Sequence, residues 1–172
     1  MPFTPFHLGP GALLKAVGGR RFGFAMFAAT QVAMDLEVAI RIAAGAPPWH
    51  GPSHSYPGAL LIGGVTLIAG RPAWKVLARA WNRRADPRIP RLVAELPFLP
   101  SLVGAALGVW SHVLIDGLLY PEIRPWYPRI SRALGLGNFS FAEVYGGCLI
   151  AGILGLALLG ARRLLAPARR FG

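Results

Sequence analysis

The chain has 172 residues, of which 54% are hydrophobic and only 15% charged, with a mean hydropathy of +0.49. Such a composition excludes an ordinary soluble domain and points to a single integral membrane domain over residues 1–172. The net charge of +11 does not indicate nucleic acid as a partner, because the basic residues fall between apolar runs and form no aromatic-interleaved patch.

Residues 1–17 are Pro-rich and then apolar, too short for a span and without a signal-peptide cleavage site, so they read as a half-helix or re-entrant segment. Residues 22–44 are long enough to span, although they carry Gln31, Asp35, Glu37 and Arg41. Residues 56–70 are short for a span, and an amphipathic continuation through Trp74, Lys75 and Arg79 would carry the helix into the interface. Residues 98–120 and 141–159 are the clearest spans. The expected fold is therefore all-α, a polytopic transmembrane bundle of about four spanning helices plus a short N-terminal segment. The single cysteine, Cys148, lies in an apolar run, where it reads as a small packing residue. Glycines 146, 147, 152 and 155 in the last span would permit close helix packing.

Loop charges give the orientation. Arg71, Lys75, Arg79, Arg83, Arg84, Arg88 and Arg91 crowd the central loop, and Arg162, Arg163, Arg169 and Arg170 the tail, whereas residues 45–55 contain no Lys or Arg. By the positive-inside rule the basic loop, the Lys15–Arg21 turn and the C-terminus face the cytoplasm. Residues 45–55 and 121–140 then face outward, although Arg124, Arg129 and Arg132 fit that side imperfectly.

Within the span at 98–120, His112 and Asp116 stand four residues apart and share a helix face. Ionisable groups at membrane depth are costly unless paired or bound, so the pair marks function. At ~1.5 Å per residue, Asp35 lies roughly 20 Å along its helix from Phe22, and His112 roughly 21 Å from Phe98. On the same scale His54 lies roughly 24 Å from Gly70, and His7 roughly 16 Å from Gly18. All four histidines, with Asp35, Glu37 and Asp116, can thus occupy one belt in the outer half of the bilayer.

Neutral imidazole and carboxylate in one layer are ligands for a divalent metal, whose charge offsets the cost of holding acids in a dry place. His7, Asp35, His54, His112 and Asp116 are the expected ligands of one or two ions, with His50 a possible addition. Zinc is expected first, with manganese or iron as alternatives. Each residue has a plainer role to set against this. His112 and Asp116 can lock two helices as a hydrogen-bonded pair, and His50 and His54 can be exposed loop histidines. Asp35 and Glu37 point to nearly opposite sides of a regular helix, so Glu37 can pair with Arg41 at i+4 or serve as a general base for water.

In its order of elements the chain resembles the small bacterial and archaeal membrane-bound metal-dependent hydrolases. The resemblance rests on Met-Pro-Phe-Thr-Pro-Phe-His7, Asp35-Leu-Glu37, the His50…His54-Ser loop, and Ser111-His112-Val-Leu-Ile-Asp116-Gly followed by Arg124-Pro-Trp-Tyr-Pro. Here the acidic pair is Asp-x-Glu, where the family often has Asp-x-Asp, and Gly51 and Pro52 stand between the loop histidines. The resemblance implies a metal site and a hydrolase activity. Because the belt lies at lipid depth, the expected reaction is hydrolysis of an ester or phosphoester in a lipid-like substrate, with Glu37 or a spare His orienting the attacking water. The alternatives are a non-catalytic protein with a structural metal clasp and a transporter, the latter disfavoured by the apolar inner halves of the spans.

Overall fold

A computed structural model describes residues 5–129 and 139–165. Arg132, Arg169 and Arg170, used above for orientation, lie outside the described residues. Among the described residues five α-helices follow in order: α1 Leu8–Gly18, α2 Phe24–Ala43, α3 Tyr56–Arg84, α4 Phe98–Leu119 and α5 Phe141–Leu165. Among the described residues there is no strand.

Local chemistry accounts for several helix ends. Ser55 caps α3 by accepting the Gly58 N–H at 3.2 Å, with a proline in the first turn where its missing N–H costs nothing. Before α5 the Ser140 hydroxyl accepts the Glu143 N–H at 3.3 Å, while the Glu143 carboxylate accepts the Ser140 N–H at 2.7 Å. That reciprocal pair satisfies two orphan donors. The apolar run at 56–70 and its amphipathic continuation are one helix of 29 residues, continuous through Pro72. The C-terminal half of this helix is tied to the following segment: Arg71, just before Pro72, donates to the Leu96 carbonyl at 2.9 Å, and Asn82 to that of Leu92 at 2.8 Å.

Among the described residues three helices, α3, α4 and α5, are long and apolar enough to cross a membrane, one fewer than the four expected. The difference is α2, whose C-terminal half carries Asp35, Glu37 and Arg41. Those charges serve the site described below, and they leave α2 less apolar than a span faced on all sides by lipid.

Helix α4 is the central element, packed against both α2 and α3, and α1 lies along α5. Phe27, Met34, Val109 and Val113 are wholly buried in this core. Leu61, Val65 and Ile68 on α3 and Leu149, Ile153 and Leu156 on α5 are exposed instead, as side chains facing hydrocarbon would be. Of the α5 glycines, Gly155 approaches the α1 backbone so closely that a Cβ would strike Ala12 and Leu13, and Gly152 faces Gly9. Gly146 and Gly147 face open space.

Lys15 donates to the carbonyls of Gly19 and Phe22 at 2.8 and 3.0 Å, and Arg162 donates to that of Ala16. The last turn of α1 and the C-terminal part of α5 thus form one basic end. His7 opens α1 at its other end.

Candidate metal centre

Four segments converge on the Asp116 carboxylate. His7 stands just before α1, held by a turn in which the Leu8 N–H reaches the Pro5 carbonyl at 3.2 Å. His54 ends a short 3-10 turn over Pro52–His54, immediately before α3. Asp35 comes from α2, and His112 and Asp116 from successive turns of α4. Asp116 Oδ1 lies 3.3 Å from His7 Nε2, and Asp116 Oδ2 lies 3.3 Å from His112 Nε2 and 3.5 Å from His54 Nε2. Asp35 Oδ1 is 3.4 Å from His112 Nε2. The imidazoles of His7 and His112 stack with centroids 4.3 Å apart. His7, His54, His112 and Asp116 are each at most 2% exposed.

One donor atom from each of Asp35, His54, His112 and Asp116 lies within 4.8 Å of the others, so this buried group could hold a metal ion. The spacing fits. Two ligand bonds of ~2.0–2.1 Å meeting at a tetrahedral angle place their donor atoms ~3.3 Å apart, whereas a direct charge-assisted N–H···O bond brings them to ~2.7–2.9 Å. His54 Nε2, His112 Nε2, both nitrogens of His7 and Asp116 Oδ1 are buried without a hydrogen-bond partner in the described structure. Polar atoms at such depth are costly when unsatisfied, and a cation among them would satisfy several at once.

The surrounding hydrogen bonds orient the rings for this. The Gln31 amide nitrogen donates to the Gly108 carbonyl at 2.9 Å, which turns the amide oxygen toward His112 Nδ1 at 2.8 Å. The oxygen can only accept, so Nδ1 carries the proton and a neutral His112 presents the Nε2 lone pair to Asp35 and Asp116. The same logic holds for His54. Glu37 accepts from the Ser53 hydroxyl, which frees the Ser53 oxygen to accept from His54 Nδ1 at 3.0 Å. Burial, the largest influence, lowers the pKa of His54 against the opposing pull of the Asp116 carboxylate 3.5 Å away, which favours the neutral ring that ligation requires.

The remaining expected residues fall around this group. His50 is not an exposed loop residue: its side chain is 3% exposed, it meets Glu122 through Nδ1 at 2.9 Å, and Tyr120 lies against its ring at a centroid distance of 4.3 Å. Its Nε2 is 4.0 Å from Asp116 Oδ2, at the margin of the group. Glu37, expected as a base for water, faces away from Asp35's side of α2 and binds Arg41 at 2.8 Å and Ser53. It therefore reaches the group only through Ser53 and His54. Gln31, Ser53 and Glu122 escape notice as ring-orienting residues in the sequence. Only Gln31 leaves a trace there, standing one turn before Asp35 on the same face.

Beside His50 and His54 opens a cavity of about 350 Å³, whose other walls include Arg41, Gly51, Glu122, Arg124 and Tyr127. A Cβ on Gly51 would meet the ends of the Glu37 and Arg41 side chains, which lie against this loop. The fold and site together define an all-helical protein with membrane-span-like helices and a buried His/Asp group able to take a metal. No protein-family model, curated protein or solved structure matches the chain.

Proposed function

We propose that the protein is a membrane-bound metal-dependent hydrolase, with Asp35, His54, His112 and Asp116 holding a divalent ion, zinc first among candidates, and His7 available to a second. The observation that carries this reading is the convergence of oriented Nε2 atoms and two carboxylates at metal-ligand spacing around Asp116. A metal there would lower the pKa of water and polarise an ester bond. Around it, Ser53 and Glu37 position His54, and Gln31 positions His112. His50, oriented by Glu122 and lining the cavity, is placed to accept a proton from water. Glu37 is thus a positioning residue in this proposal.

The cavity adjoining the group favours an enzyme over a structural clasp, because a clasp needs no approach for a substrate. The resemblance of the motif order to the membrane-bound metal-dependent hydrolases points the same way. Turnover of a panel of lipid-like carboxyl esters and phosphoesters tests the reading. With zinc loaded, hydrolysis should appear, disappear on chelation and return on readdition. A chelated protein that loses its thermal transition, with no turnover of any panel member when loaded, would establish the clasp instead.

We also place the chain in a prokaryotic inner membrane with the metal group toward the outer leaflet and the C-terminus cytoplasmic. The site residues lie at one end of the bundle, and Lys15, Arg162 and the basic C-terminal end of α3 lie at the other. A single-cysteine label near Arg84 should react only after the membrane is permeabilised. Labelling from the outside would reverse the orientation.

A further inference from the structure

The cavity beside the metal group contains cations that the hydrolytic chemistry described so far does not use. Arg124 lines it, and among the described residues no carboxylate pairs with Arg124. The nearest acid in sequence, Glu122, is held by His50 Nδ1. Arg41 lines the same cavity, with Nε on Glu37 at 2.8 Å and Nη1 at 3.5 Å from the Pro48 carbonyl, too long to occupy that nitrogen fully.

The loop that carries Arg124 is fixed on both sides. Ile123 is 2% exposed, and the Pro125 carbonyl accepts the Tyr56 N–H at 2.7 Å at the start of α3. Trp126 adds a ring contact to Tyr56, with centroids 4.9 Å apart. Arg124 is therefore presented at the cavity by an anchored turn, with its guanidinium left for a ligand.

Resting on the proposed hydrolase reading, we propose that the cavity binds the phosphate group of a phosphoester, with Arg124 and Arg41 at its rim and the metal group at its inner end. A guanidinium matches phosphate oxygens with paired N–H donors, and a metal binds the same oxygens from the other side. A carboxyl ester is neutral and would leave Arg124 without a counter-charge. The volume of about 350 Å³ suits a phosphorylated headgroup and not a whole lipid. The ligand chemistry is thus a phosphate ester, whether carried by a lipid or by a soluble molecule.

Calorimetric titration of the full chain in detergent, zinc-loaded and chelated, against inorganic phosphate and acetate tests this. Phosphate should bind at least about tenfold more tightly than acetate, and Arg124→Gln should weaken phosphate about tenfold in both forms, with Arg124→Lys intermediate. Competition by phosphatidic acid in mixed micelles would identify a lipid source, and competition by glycerol 3-phosphate alone a soluble one. Equal binding of phosphate and acetate, or an Arg124→Gln variant that binds phosphate like the parent, would overturn the proposal. Elemental analysis separates it from the hydrolase reading. Full zinc occupancy without Arg124-dependent phosphate binding defeats only the phosphate site, and Arg124-dependent phosphate binding by a protein that takes no metal defeats only the metal hydrolase.

Discussion

Asp116→Ala should abolish stoichiometric metal binding at the proposed centre, with a loss in affinity of more than about 100-fold, because the substitution removes the carboxylate that His7, His54 and His112 all face. No neighbour replaces it. Asp35 touches the group at His112 Nε2 and comes from a different helix, so it cannot move into the Asp116 position without shifting α2. Gln31→Ala acts on the same site at one remove. It leaves every ligand in place but frees the His112 ring to turn, which should cost about 10–100-fold in metal affinity. Elemental analysis and competition with a chelator of known affinity measure both, with circular dichroism to show that the helices persist. Full metal occupancy in Asp116→Ala would remove the metal centre as described.

Gly108→Val should produce a large loss of stability. At this position α2 and α4 come so close that a Cβ would meet the Phe27 carbonyl oxygen at 3.2 Å and Thr30 Cβ at 3.3 Å, and would strike Thr30 Oγ1. Thr30 cannot easily yield, since it is wholly buried and its hydroxyl donates to the Phe27 carbonyl at 2.7 Å. Overpacking of this kind costs about 1–3 kcal/mol. The damage extends to the site, because the Gly108 carbonyl orients the Gln31 amide and through it His112. Gly147→Ala is the contrasting variant: its Cβ would meet nothing within 4 Å, and alanine favours a helix over glycine by up to about 1 kcal/mol. Resistance to unfolding in detergent titrated with a denaturing surfactant should therefore fall for Gly108→Val and hold or rise for Gly147→Ala. A Gly108→Val protein as stable as the parent would mean that α2 and α4 are not in the contact described.

The helical periodicity of the chain by itself determines much of the site. His112 and Asp116 converge because i and i+4 share a helix face, and Asp35 reaches their layer because helical rise is constant. The same periodicity sends Asp35 and Glu37 to different sides, and Glu37 meets Arg41 one turn on, one of the two roles open to it in the sequence. Apolar length likewise marks α3, α4 and α5 as helices able to cross a membrane. Contacts across the bundle are decided only by the tertiary structure. His50 is buried because Tyr120 and Glu122, some seventy residues later, close over it. Gln31 and Ser53 become ring-orienting groups because of where Gly108 and Glu37 lie in space. Arg124 joins Arg41 at one cavity because the turn after α4 is pinned to the start of α3. A repeat along one chain fixes which residues share a face, but which faces meet depends on close approach at points such as Gly108 and Gly155, where the missing side chain matters only once the opposing helix is in place.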